Sequence, residues 1–194
     1  MKIFNERLLF EALELLENRL AKANSEKIEL VVCGGSALIT MKLVSRTTKD
    51  IDIVARIANN KLIDPDPLPE VLVKSAAAVT QNLDLPPDWL NTGPADLFKM
   101  GLPVGFQSRL EPKQIGELLT VYFISRLDQI HFKLYASVDR GGYHIEDLLA
   151  LNPTDDELLN AANWCFTHDV SEGFAYLMKE LLTQLGYKNV AAKL

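Results

Sequence analysis

The sequence predicts a mixed α/β fold (α+β), with a mixed sheet, flanking helices and a C-terminal helical region. Three observations carry this prediction. Short β-branched runs alternate with helical patterns up to about residue 125, helical patterns alone follow, and 194 residues that are 48% hydrophobic can bury a core. We therefore divide the chain into an α/β domain, residues 1–125, and a helical region, residues 126–194.

The first helix is predicted over residues 4–23, because Leu9, Leu13, Leu16 and Leu20 recur at helical spacing between charged side chains. The other elements of this domain are apolar or helical runs bounded by glycine, proline or serine. They are a strand at 28–33, a helix at 36–42 that starts near Ser36, a strand at 50–55, a helix at 70–83, an irregular stretch at 84–112 and a strand at 116–125.

Ser125 is predicted to cap a helix over residues 126–138, which stops at the sequence Arg-Gly-Gly, residues 140–142. Because this stop is a tight turn, the next helix, 143–151, is expected to pack antiparallel to the first. Further helices are predicted after Thr154, where acidic residues follow, and over residues 171–186.

The net charge of −6 and the pI near 5.1 exclude general attraction to nucleic acid, so any RNA contact needs a local basic patch. The N-terminal residues lack the apolar core of a signal peptide, and no apolar run is long enough for a membrane span. Cys33 and Cys165 show no metal-ligand spacing. We expect a cytoplasmic protein without a membrane partner.

The first candidate site motif is Gly34-Gly35-Ser36, which follows the apolar strand at 28–33. Glycines between a strand and a helix expose backbone N–H groups, which favour an anion such as phosphate. An ordinary turn is the alternative interpretation, because the motif alone has low specificity.

The second motif is Asp50-Ile51-Asp52, which follows the glycines closely. Side chains two residues apart on a strand share a face, so both carboxylates could bind one divalent ion. Mg²⁺ or Mn²⁺ fits this chemistry, because these ions favour one or two carboxylates plus substrate phosphates. The alternative is an edge strand with one solvated face.

The stretch GGSAL followed by RTTKDIDI resembles the opening of the nucleotidyltransferase fold that DNA polymerase β also has. It is more similar to the AbiEii-type branch, which includes toxins of bacterial toxin–antitoxin pairs. That branch has a later lysine on a helix and a later aspartate, and FKLYASVDRGGYHIEDLLAL matches them with Lys133 and Asp147.

The resemblance implies a metal-dependent transfer of NMP from an NTP to an acceptor hydroxyl. Asp50 and Asp52 would hold Mg²⁺ or Mn²⁺, Lys133 would stabilise phosphate charge, and Asp147 would position or deprotonate the acceptor. The nucleotide would bind at the glycine motif and Lys49. The acceptor is open, with tRNA among the candidates, and an antitoxin protein is an expected partner.

Lys42, Arg46 and Lys49 surround these motifs and could form the basic patch that an RNA acceptor needs. Trp89, in the proline-rich stretch, either stacks on a base or anchors the loop to the domain.

The chain departs from many nucleotidyltransferases in lacking a third acid in the body of the strand at 116–125. Either Glu117 or Asp147 completes the metal site, or the chain is a weak or inactive nucleotide-binding or partner-binding module. Lys133 and Asp147 are expected to be partly solvent-facing in a cleft. Their alternative role is a structural ion pair that braces the helical hairpin.

Overall fold

The computed structural model describes residues 3–44 and 46–194. The chain forms two compact units, the first ending at Ile124 and the second being Ser125–Leu194. No helix in the described ranges combines the length and apolar composition needed to cross a bilayer.

The first unit is an open mixed sheet with helices. Its elements are α1 (Glu6–Lys22), β1 (Ile28–Cys33), α2 (Gly34–Thr40), β2 (Ile51–Ala58), β3 (Lys61–Ile63), α3 (Glu70–Leu83), β4 (Leu90–Asn91), α4 (Ala95–Met100), a 3₁₀ turn (Phe106–Arg109), β5 (Glu111–Gln114) and β6 (Leu119–Phe123).

The sheet has the strand order β3-β2-β1-β6-β5, and β4 also pairs with β2. Strand β1 runs antiparallel to β2 and parallel to β6. One sheet face packs with α1 and α3 around a core that includes Leu30, Val32, Ile51 and Ile53. This packing holds the end of β1 beside the start of β2, where the glycine motif and the Asp-x-Asp motif lie.

Three elements of the first unit begin at residues other than those predicted. Helix α2 begins at Gly34, directly after the end of β1 at Cys33, rather than at Ser36. Strand β2 begins at Ile51, so Asp50 precedes the strand rather than lying in it. The predicted strand at 116–125 is reduced to Leu119–Phe123.

The stretch predicted to be irregular, 84–112, contains β4, α4, the 3₁₀ turn and the start of β5. Trp89 anchors it: the indole is fully buried, its Nε1 donates to the Ala76 carbonyl at 3.2 Å, and its ring lies 5.9 Å from that of Phe4. Trp89 therefore holds the loop on the domain and is not exposed to stack on a base.

The second unit is helical. Its elements are α5 (Arg126–Asp139), α6 (Tyr143–Ala150), α7 (Asp155–Cys165), α8 (Glu172–Gln184) and α9 (Lys188–Ala191). The predicted cap at Ser125 is confirmed, since its side chain accepts from the Asp128 N–H. The helix predicted after Thr154 is also present, and Thr154 forms a reciprocal capping box with Glu157. The turn between α5 and α6 contains Gly141 and Gly142, both with positive φ angles of about 60°.

Candidate active site

Gly34 and Asp52 are in close contact at the edge where β1 ends and β2 begins. The register pairs Cys33 with Asp52, so the residue after Cys33 lies beside the carboxylate. A Cβ built on Gly34 would lie 2.5 Å from Asp52 Oδ2, and the φ angle of Gly34 is +70°. Only glycine fits this conformation and this approach without strain, so the absence of a side chain at Gly34 lets the Asp52 carboxylate pack against the turn.

Thr48 links the second glycine to the second carboxylate. Its hydroxyl donates to Asp50 Oδ1 at 3.0 Å, and a Cβ on Gly35 would lie 2.7 Å from the same hydroxyl oxygen. The backbone of Thr48 is fixed by two hydrogen bonds to Phe4, of 2.6 and 3.1 Å. Asp50 is therefore oriented by a residue that is itself anchored to the domain.

Ser36 lies inside this turn with its side chain turned inward. The residue is fully buried, and its hydroxyl donates to the Cys33 carbonyl at 3.3 Å. Helix α2 has seven residues and no side-chain cap. The Ser36 hydroxyl is therefore engaged in stabilising the turn and is not directed away from it.

Asp50 and Asp52 flank Ile51, which is buried in the core, and both carboxylates are half-buried. On strand β4, which runs parallel to β2, Asn91 is the residue that pairs with Asp52. Asn91 thus places an amide at the same edge of the sheet as the two carboxylates.

The carboxylate oxygens of Asp50 and Asp52 are donors of the kind that a hard divalent cation prefers, so the two residues fit such an ion chemically. Among residues 3–44 and 46–194, no three His, Cys, Asp or Glu side chains are grouped to hold a metal ion. Any third protein donor there must be another residue type or a backbone oxygen.

Glu117 is the wrong candidate for a third acid. It precedes β6, whose first residue, Leu119, pairs with Ile28 at the start of β1. Gly34 follows the other end of β1, so the two positions are separated by roughly 20 Å at the usual rise per strand residue. Glu117 therefore lies near the start of β1 and β6, at the opposite end of these strands from Asp52.

Two of the three predicted basic residues line one recess. Lys42 and Arg46 line a recess of about 460 Å³ that also includes Thr47 and Asn5. Lys49 is exposed but is not part of that lining. The recess adjoins the glycine turn, since a Cβ on Gly35 would lie 3.3 Å from Arg46 Nη1.

Within the second unit, Lys133 and Asp147 form an ion pair. Lys133 Nζ lies 2.7 Å from Asp147 Oδ2, and the two side chains are only 6% and 1% exposed. The ammonium also lies 5.7 Å from the centre of the Tyr143 ring. The expectation that both residues are partly solvent-facing is wrong, because packing of α5 and α6 encloses them.

Comparison with protein families gives one match, over residues 7–176, to the family described as "Nucleotidyltransferase of unknown function (DUF6036)". This range covers most of the chain and includes all the motifs above. The chain belongs to this family. No curated protein and no solved structure shows significant similarity to it.

This membership places the chain among the nucleotidyltransferases, for which an NTP is the expected substrate. The sequence patterns did not single out Thr48, whose hydroxyl orients Asp50, although its place in the sequence was informative. Thr48 lies two residues before Asp50, where a short polar side chain can reach the neighbouring carboxylate.

Proposed function

We propose that the protein transfers an NMP group from an NTP to an acceptor hydroxyl at the site formed by Gly34, Gly35, Asp50 and Asp52. The observation that carries this proposal is the contact between the Gly34 turn and Asp52, which brings an anion-binding turn beside a carboxylate. Family membership supports the same chemistry.

In the proposed reaction, the acceptor oxygen bonds to the α-phosphorus and the bond to the β-phosphate oxygen breaks. Pyrophosphate leaves, and the hydroxyl proton passes to solvent. The protein contributes mainly by positioning and by neutralising charge. Backbone N–H groups of Gly34 and Gly35 would bind phosphate oxygens, and Lys49, which is exposed, would add positive charge.

Asp50 and Asp52 would hold Mg²⁺ or Mn²⁺. When bound, such an ion neutralises triphosphate charge and polarises the phosphoryl oxygens. Thr48 would keep Asp50 in one orientation, because its hydroxyl donates to one carboxylate oxygen and leaves the other available.

The sequence resemblance assigns Lys133 and Asp147 to the same reaction. Because Asp147 is buried and paired with Lys133, we propose that it positions the lysine ammonium instead of deprotonating the acceptor.

We further propose RNA, with tRNA as the first candidate, as the acceptor. The recess lined by Lys42 and Arg46 supports this choice, because these two cations outnumber the single carboxylate of the lining, Glu6, on a chain whose net charge is −6. The resemblance to AbiEii-type proteins motivates a toxin role with an antitoxin partner. Co-expression with the product of the adjacent gene tests that role, and rescue of growth is the expected result.

A second candidate is a nucleotide-binding or partner-binding module without turnover. It is favoured by the finding that, within the described ranges, no three acidic or other classical metal-ligand side chains are grouped. The two candidates make opposite predictions for pyrophosphate release.

The deciding experiment measures pyrophosphate release with each of the four NTPs, Mg²⁺ or Mn²⁺, and total tRNA as acceptor. Asp52→Asn removes charge at nearly constant shape and should reduce release at least about 100-fold, as loss of a charge-stabilising group does. The matched control is Asp156→Asn, which changes an exposed aspartate in α7 and should keep wild-type activity. NTP binding without release from any acceptor would favour the binding module.

A further inference from the structure

Strand β4 is a two-residue strand that is firmly attached beside the start of β2. The Ile51 N–H donates to the Trp89 carbonyl at 2.6 Å, directly before β4. Trp89 is fully buried and hydrogen-bonded to Ala76 of α3. The position of β4 relative to Asp52 is therefore set by the core and not by a loose loop.

The register and the pleat place Asn91 on the same face as Asp52. Leu90 pairs with Ile51, and both contribute to the core, Leu90 as a partly buried neighbour. Because side chains alternate along a strand, the next pair, Asn91 and Asp52, turns to the opposite face. Paired residues on neighbouring strands lie about 4.8 Å apart.

The side chain of Asn91 is held in place by its own turn. Its Oδ1 accepts from the Gly93 N–H at 2.7 Å, and its Nδ2 lies 3.4 Å from the Asp88 carbonyl. A Cβ on Gly93 would lie 2.9 Å from Asn91 Oδ1, so the glycine permits this approach. A carbonyl oxygen has two lone pairs, and the bond from Gly93 uses one of them.

We propose that Asn91 is the third oxygen donor of the metal site formed by Asp50 and Asp52. The inference rests on the proposed function, since it concerns the ion that those carboxylates hold. Amide oxygens are ordinary ligands of hard divalent cations. Asn91 contributes this oxygen without adding charge, so the side-chain donors carry two negative charges rather than three.

The reduced charge has a direct consequence for affinity. Binding of a divalent cation strengthens with the number of charged ligands. The site therefore binds Mn²⁺ more weakly than an otherwise identical site with three carboxylates. Asn91→Asp adds the missing charge and retains the oxygen that accepts from the Gly93 N–H, and it loses only the longer contact of 3.4 Å from Nδ2 to the Asp88 carbonyl.

The experiment measures Mn²⁺ binding to the full chain by titration calorimetry and by the electron paramagnetic resonance signal of free Mn²⁺, each with a non-hydrolysable NTP analogue. Asn91→Asp should lower the Kd at least about tenfold, and Asn91→Ala should raise it by a similar factor. Asn160→Asp, which adds the same charge on the exposed side of α7, should leave the Kd unchanged. Melting without metal checks that each variant is folded.

Two results overturn the inference, and they separate it from the proposed function. If the wild type binds Mn²⁺ and both Asn91 variants keep its Kd, Asn91 is not a ligand and the two carboxylates still are. If Asp52→Asn and the wild type both fail to bind Mn²⁺ with the NTP analogue, the proposed metal site and the role of Asn91 fail together.

Discussion

Lys133 and Asp147 form an ion pair of 2.7 Å between α5 and α6, and both side chains are buried. A buried pair differs from a surface pair in what happens when one partner is removed. The remaining charge then lacks both water and a counter-ion, and the cost far exceeds the value of the pair itself.

Lys133→Met should therefore lower the free energy of unfolding by about 3–5 kcal/mol, because it leaves the Asp147 carboxylate buried without its partner. The double variant Lys133→Met/Asp147→Leu should cost less than the sum of the single variants, since the partners are coupled. Urea denaturation measures both effects. The control is Lys74→Met, which breaks an exposed pair with Glu70 and should cost less than about 1 kcal/mol.

Activity separates the two roles of this pair. A purely structural pair predicts that the folded fraction of each variant retains wild-type turnover. Participation in the reaction predicts that turnover is lost even in the folded protein at low temperature. Equal stability of Lys133→Met and Lys74→Met would contradict the structural account.

Gly34→Ala should destabilise the protein by about 1–3 kcal/mol, because alanine is strained at a φ angle of +70° and its Cβ would contact Asp52 Oδ2. Asp52 must move, so Mn²⁺ affinity should fall as well. Gly173→Ala is the matched control, since nothing lies within 4 Å of its Cβ and its φ angle is not positive. Thermal melting of the two variants should differ clearly, and equal melting temperatures would refute the close approach.

Mn²⁺ together with an NTP should raise the melting temperature, because both bind the folded state. At a ligand concentration 100 times the Kd the stabilisation is about 2.7 kcal/mol. Asp50→Asn should abolish the metal-dependent part, and Thr48→Val should reduce it by removing the hydrogen bond that orients Asp50. An unchanged shift in Asp50→Asn would show that the nucleotide and metal bind elsewhere.

Glu157 should make the stability of the second unit sensitive to acid. Hydrogen bonds from the Arg126 guanidinium, of 2.7 and 3.1 Å, hold the pKa of Glu157 below its ordinary value of 4.5. A carboxylate whose pKa is lower in the folded state stabilises the fold above its unfolded pKa. That stabilisation is lost as the pH falls below 4.5 and through the folded pKa.

The test is denaturation of the wild type and Glu157→Gln across this pH range. The wild type should be the more stable above pH 4.5, and the difference should shrink as the pH falls. Glu180→Gln, which changes an exposed residue of α8, should show no such convergence. A pH-independent difference would contradict a lowered pKa of Glu157 in the folded protein.

Local interactions made much of this fold predictable. The leucine spacing of α1, the caps at Ser125 and Thr154 and the glycines at 34 and 35 each depend on residues within a few positions in the chain. Such contacts are encoded by short patterns, so the order of helices and strands follows from them. The Asp-x-Asp spacing likewise indicated a pair of carboxylates near the glycine turn.

Long-range packing decided the rest. Asn91 pairs with Asp52 because the burial of Trp89 against α3 fixes β4 beside β2. No spacing in the sequence encodes the register of these two strands. Glu117 is separated from the carboxylates because β6 runs parallel to β1, a direction that a strand pattern does not specify. The burial of Lys133 depends on how α5 and α6 pack, whereas a sequence shows only that a lysine and an aspartate are present. The sequence therefore determined which groups the site has to offer, and the tertiary structure determined which of them meet, because pairing and burial depend on residues far apart in the chain.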